Sequence, residues 1–173
     1  MSRAAVEQLL YLMDEAFEGI EQPWHSVLAN LATVREDDWL WQPPDGARTI
    51  RLLTAHIGAA TLLYDDHAFG EGTIGWNDPA GDFGLGMEDL QSYGALDNEP
   101  PMAAIIAWTT DACHRFRGHV AELDDSDLSR LRRNHRGDMK EVRWFIALQI
   151  QHYSYHAGEI NHIRALHQRN DRE

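Results

Sequence analysis

Apolar residues recur every three or four positions along four long stretches of the chain, which is the spacing of one helix face. The first stretch covers about residues 3–34 and is interrupted at Pro23, a residue that suits the first turn of a new helix. We therefore expect either one kinked helix or two helices end to end. The second stretch begins after Thr49, a residue typical of helix N-caps, and runs to about Phe69.

The third and fourth stretches cover most of the second half of the chain. The third begins at the proline pair 100–101 and ends near residue 124, and the segment DDSDLSRL after it could form a short helix. The fourth is predicted to begin at Asp138, which makes a capping-box-like pair with Glu141, and to end near Gln168. No segment shows the alternation typical of a β-strand. The pattern predicts an all-α fold.

Residues 70–98 interrupt this periodicity with seven glycines. A loop of this length is unusual inside a compact domain and is often functional. It is long enough to cross a helical bundle, so the second and third helices can run parallel. We predict one domain over residues 1–173, a four-helix bundle with a long crossover loop between helices 2 and 3.

The composition is that of a soluble globular protein, with 43% hydrophobic residues and a mean hydropathy of -0.48. No apolar run approaches the roughly 18 residues that a membrane span needs. The N-terminal segment lacks the basic start and the cleavage site of a secretory signal. A single cysteine, Cys113, cannot form an intramolecular disulfide, which is typical of proteins from a reducing compartment. We expect Cys113 to be a small buried apolar residue. We expect a cytoplasmic protein.

The net charge of -13 argues against general nucleic-acid binding. The charge is uneven, since residues 1–129 carry 6 basic and 23 acidic side chains, whereas residues 130–173 carry 9 basic and 5 acidic ones. Six of the basic residues lie close together, at Arg130, Arg132, Arg133, Arg136, Lys140 and Arg143. They form either a solvated segment that pairs with the acidic rest of the chain or a binding site for an anionic ligand or a partner.

Two of the ten histidines, His152 and His156, lie four residues apart in the fourth helix and share one face of it. Both are in line with the apolar stripe, where an unpartnered imidazole would be costly. They are either ligands of a shared metal ion or hydrogen-bonded core histidines. His56 lies on the inward face of the second helix and could supply a third ligand, which leaves a coordination position open for water or substrate. His119 is the best substitute.

Glu159 follows His152 by seven residues and His156 by three, so it shares their helix face. It could be a second-shell partner, a fourth ligand or a general base, and the alternative is a surface carboxylate. The chain has no G-x-S-x-G, Walker or C-x-x-C motif and no G-x-G-x-x-G that opens a helix after a strand, so other chemistry has little support.

Three segments together resemble the DinB/YfiT-like superfamily: RTIRLLTAHIGAATLLYDDHAFG (48–70), DDWLWQPP and HYSYHAGEINHIRAL. The resemblance runs from about residue 24 to the C-terminus. Its most specific part is the histidine of the second helix combined with H-x-x-x-H-x-G-E-I. It implies a four-helix bundle and a divalent metal ion, commonly nickel or zinc, held by three histidines. By position these are His56, His152 and His156.

The same superfamily includes S-transferases that use low-molecular-weight bacterial thiols, and a thiol-dependent isomerase. We expect a metal-dependent enzyme that transfers a thiol to a small electrophile. The 70–98 loop could wall its pocket, and the arginines near 130–143 could meet an anionic thiol cofactor. The alternatives are a hydrolase that uses metal-bound hydroxide with Glu159 as base, and a non-catalytic metal or stress-ligand binding protein. We expect a small-molecule substrate and no nucleic-acid or membrane partner, and a bundle of this size is compatible with homodimerisation.

Overall fold

The computed structural model of the chain describes residues 2–44, 48–78 and 101–170. Its helices and strands, in chain order, are α1 (Ala4–Phe17), α2 (Val27–Leu31), α3 (Glu36–Leu40), α4 (Ile50–Phe69), α5 (Met102–Ala121), β1 (Leu131–Arg133), β2 (Met139–Glu141) and α6 (Val142–Asn170). Short 3-10 helices cover Pro23–His25 and Asp125–Ser129. The predicted all-α class is confirmed.

The first helical stretch is two helices, α1 and α2, with a turn and a 3-10 helix between them. The turn depends on Gly19, whose φ of 77° lies in the left-handed region and whose missing Cβ would lie 2.7 Å from the Cα of Pro23. Ser26 then caps α2 by accepting the backbone N–H of Ala29. Of the two expected arrangements, helices end to end is the correct one.

Helices α4 and α5 run parallel, as the length of the intervening segment predicts. Thr109 Oγ1 donates to the carbonyl of Thr54 at 2.9 Å, and further along both helices His119 Nδ1 lies 2.7 Å from the carboxylate of Asp65. The paired residue numbers therefore rise together in the two helices. The part of the predicted crossover loop at 79–98 lies outside the described residues.

Helix α6 runs antiparallel to α4 and completes the core with α1. Thr61 on α4 lies opposite Gln149 and Tyr153 on α6, with oxygen–oxygen distances of 3.3 and 3.2 Å. The Thr61 hydroxyl is thus shared among buried polar groups, which hydrogen bonding makes tolerable in a core. The largest fully buried side chains come from α1, α4, α5 and α6 and include Met13, Leu53, Phe116, Phe145 and Tyr153. None of the helices in the described part of the chain is long and apolar enough to cross a bilayer.

The predicted start of the fourth helix at Asp138 is wrong, as is the expectation of no β-structure. Residues Leu131–Arg133 and Met139–Glu141 pair as an antiparallel hairpin, and α6 begins only at Val142. The Asn134 side chain accepts the N–H of Arg136 and that of Asp138, and Gly137 takes a φ of 90°. Asp138 therefore belongs to a turn, because a side-chain amide and a glycine satisfy this backbone without a helix.

A second difference is α3, which lies between the first two predicted helical stretches, where no helix was expected. The buried carboxylate of Asp38 accepts the backbone N–H of Arg35 at 3.0 Å, and His167 Nδ1 of α6 lies 2.8 Å from its other oxygen. A five-residue helix is too short for a periodicity in the sequence. It forms here because Asp38 serves both as a cap within α3 and as an anchor for the end of α6.

Candidate metal centre

Helices α4 and α6 bring His56, His152 and His156 together, and we call these three residues the triad. The Nε2 atom of His152 lies 3.0 Å from Nε2 of His56 and 3.0 Å from Nε2 of His156. One ring nitrogen from each residue lies within 4.8 Å of the other two, and no other residue belongs to this group within the described part of the chain. The structure therefore supplies three converging donors from two helices.

Two of the three separations between these nitrogens fit a single divalent ion. Histidine nitrogens lie about 2.0–2.1 Å from bound zinc, so two ligands are about 2.9 Å apart at a right angle and about 3.3 Å apart at the tetrahedral angle. The observed 3.0 Å separations fall within that span. His56 and His156 are buried, whereas His152 is partly exposed, so the triad reaches solvent on the side of His152.

The environment keeps two of the rings neutral at physiological pH. Burial, followed by repulsion from the two other imidazoles and from Arg48, lowers the pKa of His56 to about 2. Burial, followed by repulsion from His156 and Arg48, lowers the pKa of His152 to about 3. A neutral imidazole retains the lone pair that a metal ion requires.

Glu159 decides which nitrogen of His156 carries the proton. Its Oε2 atom lies 2.8 Å from Nδ1 of His156, on the side of the ring away from the other two histidines. A carboxylate can only accept, so Nδ1 of His156 donates and Nε2 of the neutral ring presents its lone pair to the triad. This is the carboxylate–histidine arrangement that orients many metal ligands.

A purely hydrogen-bonded trio fits this arrangement less well than a shared cation does. With the lone pair of His156 turned inward, a single proton on Nε2 of His152 is the donor that could serve both neighbours. The Nδ1 atoms of His56 and His152 are also buried and have no hydrogen-bond partner. The rings of His56 and His152 therefore make their polar contacts through Nε2 rather than Nδ1, and a cation would satisfy all three inward lone pairs.

The other sequence candidates lie apart from the triad. His119 bonds to the buried carboxylate of Asp65, so it does not replace a ligand. Arg132 donates to the carbonyl oxygens of His67 and Gly70, at the end of α4. His67 is eleven residues from His56, or about 16 Å along the helix. Arg132 therefore lies at the C-terminal end of α4, away from His56.

Arg48 was not predicted from the sequence, and its positive charge acts on both His56 and His152. One of its guanidinium nitrogens, Nη1, is buried and has no hydrogen-bond partner. The residue lies immediately before Thr49, the N-cap of α4. That position is the one signal in the sequence, because the positive end of a helix dipole disfavours an arginine there.

Comparison with known proteins gives one family. The family model described as the DinB superfamily matches residues 20–160, which include the whole triad and Glu159. A search of curated proteins finds no match. The matched region covers well over half of the chain and agrees with the all-α fold and the three histidines that the resemblance in the sequence implied. The chain belongs to the DinB superfamily.

Proposed function

We propose that this protein is a divalent-metal-dependent enzyme that transfers a thiol to a small electrophile. The observation that carries the proposal is the convergence of three imidazole Nε2 atoms, one of them from the partly exposed His152. Three protein ligands leave room for one exogenous ligand, which is typical of catalytic rather than structural metal sites. Nickel and zinc are the ions that we expect.

The donor set explains why such a site would activate a thiol. The three ligands are neutral, and the carboxylate of Glu159 bonds to the outer nitrogen of His156 instead of joining them. A divalent ion held in this way keeps most of its charge and lowers the pKa of a thiol, so that thiolate is available at neutral pH. The histidines hold the ion, and Glu159 fixes the orientation of His156.

The overall reaction is a simple displacement. The thiol sulfur forms a bond to the electrophilic carbon, the bond from that carbon to the leaving group breaks, and the thiol proton departs with the leaving group. The chain's own part is to place the sulfur next to the partly exposed His152, where an electrophile can approach from solvent.

The role of Glu159 favours thiol transfer over hydrolysis. A hydrolase that activates water benefits from a general base close to that water. Glu159 is the carboxylate that the sequence offers for this role, and its Oε2 bonds to His156 on the far side of the ring from the other two histidines. A thiol is acidic enough that metal coordination alone yields the nucleophile.

Calorimetry with defined metal loading tests the proposal. Protein loaded with Ni²⁺ or Zn²⁺ is titrated with the common low-molecular-weight bacterial thiols, and the metal-free protein and the His56→Ala variant serve as controls. We expect binding only to the loaded wild type, with release of about one proton per thiol near pH 7, because a free thiol has a pKa of about 8.5. A loaded protein that binds none of these thiols would contradict thiol transfer. Binding without turnover on any electrophile would indicate a non-catalytic metal protein.

A further inference from the structure

Tyr155 of α6 is a large aromatic side chain that adjoins the triad. Its ring lies 5.0 Å from that of His156, centroid to centroid, with an interplanar angle of 77°. Tyr155 follows the partly exposed His152 by three residues and precedes Glu159 by four, so it neighbours both on the surface of the helix. One tyrosine therefore adjoins two of the proposed ligands and the carboxylate that orients one of them.

Packing within the chain does not account for an aromatic residue at this position. Tyr155 is 69% exposed, whereas Tyr153, two residues earlier, is fully buried. Of the large apolar side chains that stay exposed in the described ranges, Tyr155 is the one whose ring contacts a member of the triad. A side chain stabilises the fold through the apolar area that it removes from water, and most of this ring remains in water. That area is available to a bound molecule.

Gly158 keeps the surface next to Tyr155 open. A Cβ added at Gly158 would meet no atom within 4 Å, so no neighbouring helix requires a glycine there. A glycine also weakens a helix interior relative to alanine. Because a helical side chain covers the turn that precedes it, a larger residue at position 158 would extend over Tyr155. The glycine therefore leaves the tyrosine ring accessible from that side.

We propose that Tyr155 binds an aromatic ring of the electrophile, so that the substrate class is aryl-substituted electrophiles rather than small aliphatic ones. The proposal rests on the proposed function, since the reacting carbon is taken to approach a thiol beside His152. Aromatic rings attract one another in stacked and edge-to-face arrangements, and the exposed ring of Tyr155 offers this contact next to the triad. Tyr155 binds and positions the electrophile and takes no part in the chemistry.

Two electrophiles that share a reacting group and differ in a phenyl ring test the proposal on the Zn²⁺-loaded protein. They are iodoacetamide and N-phenyl-iodoacetamide, with cysteine as the first thiol and the other thiols of the calorimetric test after it. In both reactions the sulfur forms a bond to the methylene carbon, the carbon–iodine bond breaks, and iodide and the thiol proton enter the solution. Each rate is compared with that of the reaction without protein. We expect the larger acceleration, through a lower KM, for the phenyl compound.

The substitution Tyr155→Leu keeps an apolar side chain and removes the aromatic ring. Relative to its effect on iodoacetamide, it should raise the KM for N-phenyl-iodoacetamide about 2- to 10-fold, the range of one aromatic pair, with little change in the ratio of the two kcat values. Tyr155→Phe should keep the preference for the phenyl compound, because it keeps the ring. The matched control is Tyr11→Leu on α1, an exposed tyrosine that bonds to Glu21. Equal effects of Tyr155→Leu on both electrophiles would overturn the proposal.

Binding without reaction gives a second readout. Acetanilide carries the same phenyl amide and has no leaving group. In the Zn²⁺-loaded wild type its phenyl protons should show nuclear Overhauser effects to the ring protons of Tyr155, which Tyr155→Leu removes. Zn²⁺ affinity of this variant should equal that of the wild type. Loss of Zn²⁺ together with loss of acetanilide binding would show that Tyr155 only maintains the site, and acetanilide that contacts no ring proton of Tyr155 would also overturn the proposal.

The same measurements distinguish failure of this proposal from failure of the proposed function. If the protein accelerates both alkylations equally, thiol transfer stands and recognition of an aryl group falls. If it accelerates neither with any of the thiols, thiol transfer falls, and acetanilide then decides the role of Tyr155. Contact between acetanilide and Tyr155 would keep an aryl-binding site at this residue, and absence of that contact would remove it.

Discussion

His156 differs from the other two histidines of the triad because a carboxylate holds its outer nitrogen. Glu159 fixes its tautomer at 2.8 Å, whereas Nδ1 of His56 and Nδ1 of His152 have no partner. A ligand oriented in advance loses less freedom when it binds the ion. At the scale of single residues, the triad therefore depends on a fourth side chain that does not touch the proposed ion.

Removal of this carboxylate should weaken metal binding more than it weakens the fold. We expect Glu159→Ala to lower the affinity for Zn²⁺ about 10- to 100-fold, the usual effect of losing such a partner. Glu159→Gln keeps an acceptor for Nδ1–H of His156 and should lose less. Competition with a chromogenic chelator measures both affinities. Equal affinities of wild type and Glu159→Ala would contradict the orienting role.

The metal-free protein should lose stability as the pH falls below about 6.5, the pKa of an unfolded histidine. In the folded protein the pKa of His56 is about 2 and that of His152 about 3, both below the pKa of an unfolded histidine. Between these pH values the unfolded chain therefore binds protons that the folded chain does not bind. The free energy of unfolding then falls with decreasing pH, by at most about 1.4 kcal/mol per pH unit for each ring. At pH values above the pKa of an unfolded histidine, these two rings no longer make the free energy of unfolding depend on pH.

Urea denaturation in a chelating buffer at pH 7.5, 6 and 5 measures this dependence. The His56→Gln variant is the control, and the free energy of its unfolding should fall with pH along a clearly shallower slope than that of the wild type. A wild-type stability that stays constant or rises between pH 6 and pH 5 would show that the rings are not buried as neutral groups.

At the scale of elements, the position of His56 depends on how closely α4 approaches α5. Gly58 allows this approach, because a Cβ there would lie 2.5 Å from the ring of Trp108 and 2.9 Å from the hydroxyl of Thr109. The Thr109 hydroxyl also donates a hydrogen bond to the carbonyl of Thr54. The two helices are therefore locked together two residues from one member of the triad.

Gly58→Ala should destabilise the protein although alanine is the better helix former. The clash with an indole ring typically costs about 1–3 kcal/mol, which exceeds the gain of up to about 1 kcal/mol in helix propensity. Gly118→Ala in α5 is the matched control, since no atom lies within 4 Å of its added Cβ, and it should stabilise the protein by about 0.5–1 kcal/mol. Thermal unfolding of both variants measures the difference. A stabilising Gly58→Ala would mean that α4 and α5 are further apart.

At the scale of the whole molecule, the long helices could be predicted because their buried faces repeat at the helix period over 14 residues or more. The parallel course of α4 and α5 followed from the length of the segment between them. The hairpin at 131–141 could not be predicted, because strands of three residues show no alternation and the turn depends on the Asn134 side chain. Helix α3 could not be predicted either, because five residues are too few to show the helix period.

Of the candidate site, the three histidines could be predicted from the sequence and Arg48 could not. The spacing of His152 and His156 placed both on one helix face, and the inward position of His56 and the family resemblance supplied the third member. Arg48 could not be found in this way, because it lies outside the helix and its charge acts on His152 only when α4 packs on α6. Sequence periodicity finds groups within one element, whereas charges contributed across elements need the fold.

The most direct test of the triad is the metal content of protein purified without a histidine tag. After equilibration with Ni²⁺, Zn²⁺ or Co²⁺ and removal of loosely bound ions, elemental analysis should find about one ion per chain in the wild type. His56→Ala and His152→Ala should each retain little or none, while His162→Ala, an exposed histidine of the same helix as His152, should keep the wild-type amount. A wild type that holds no ion, or triad variants that hold as much as the wild type, would contradict the proposal that these three imidazoles bind one metal ion.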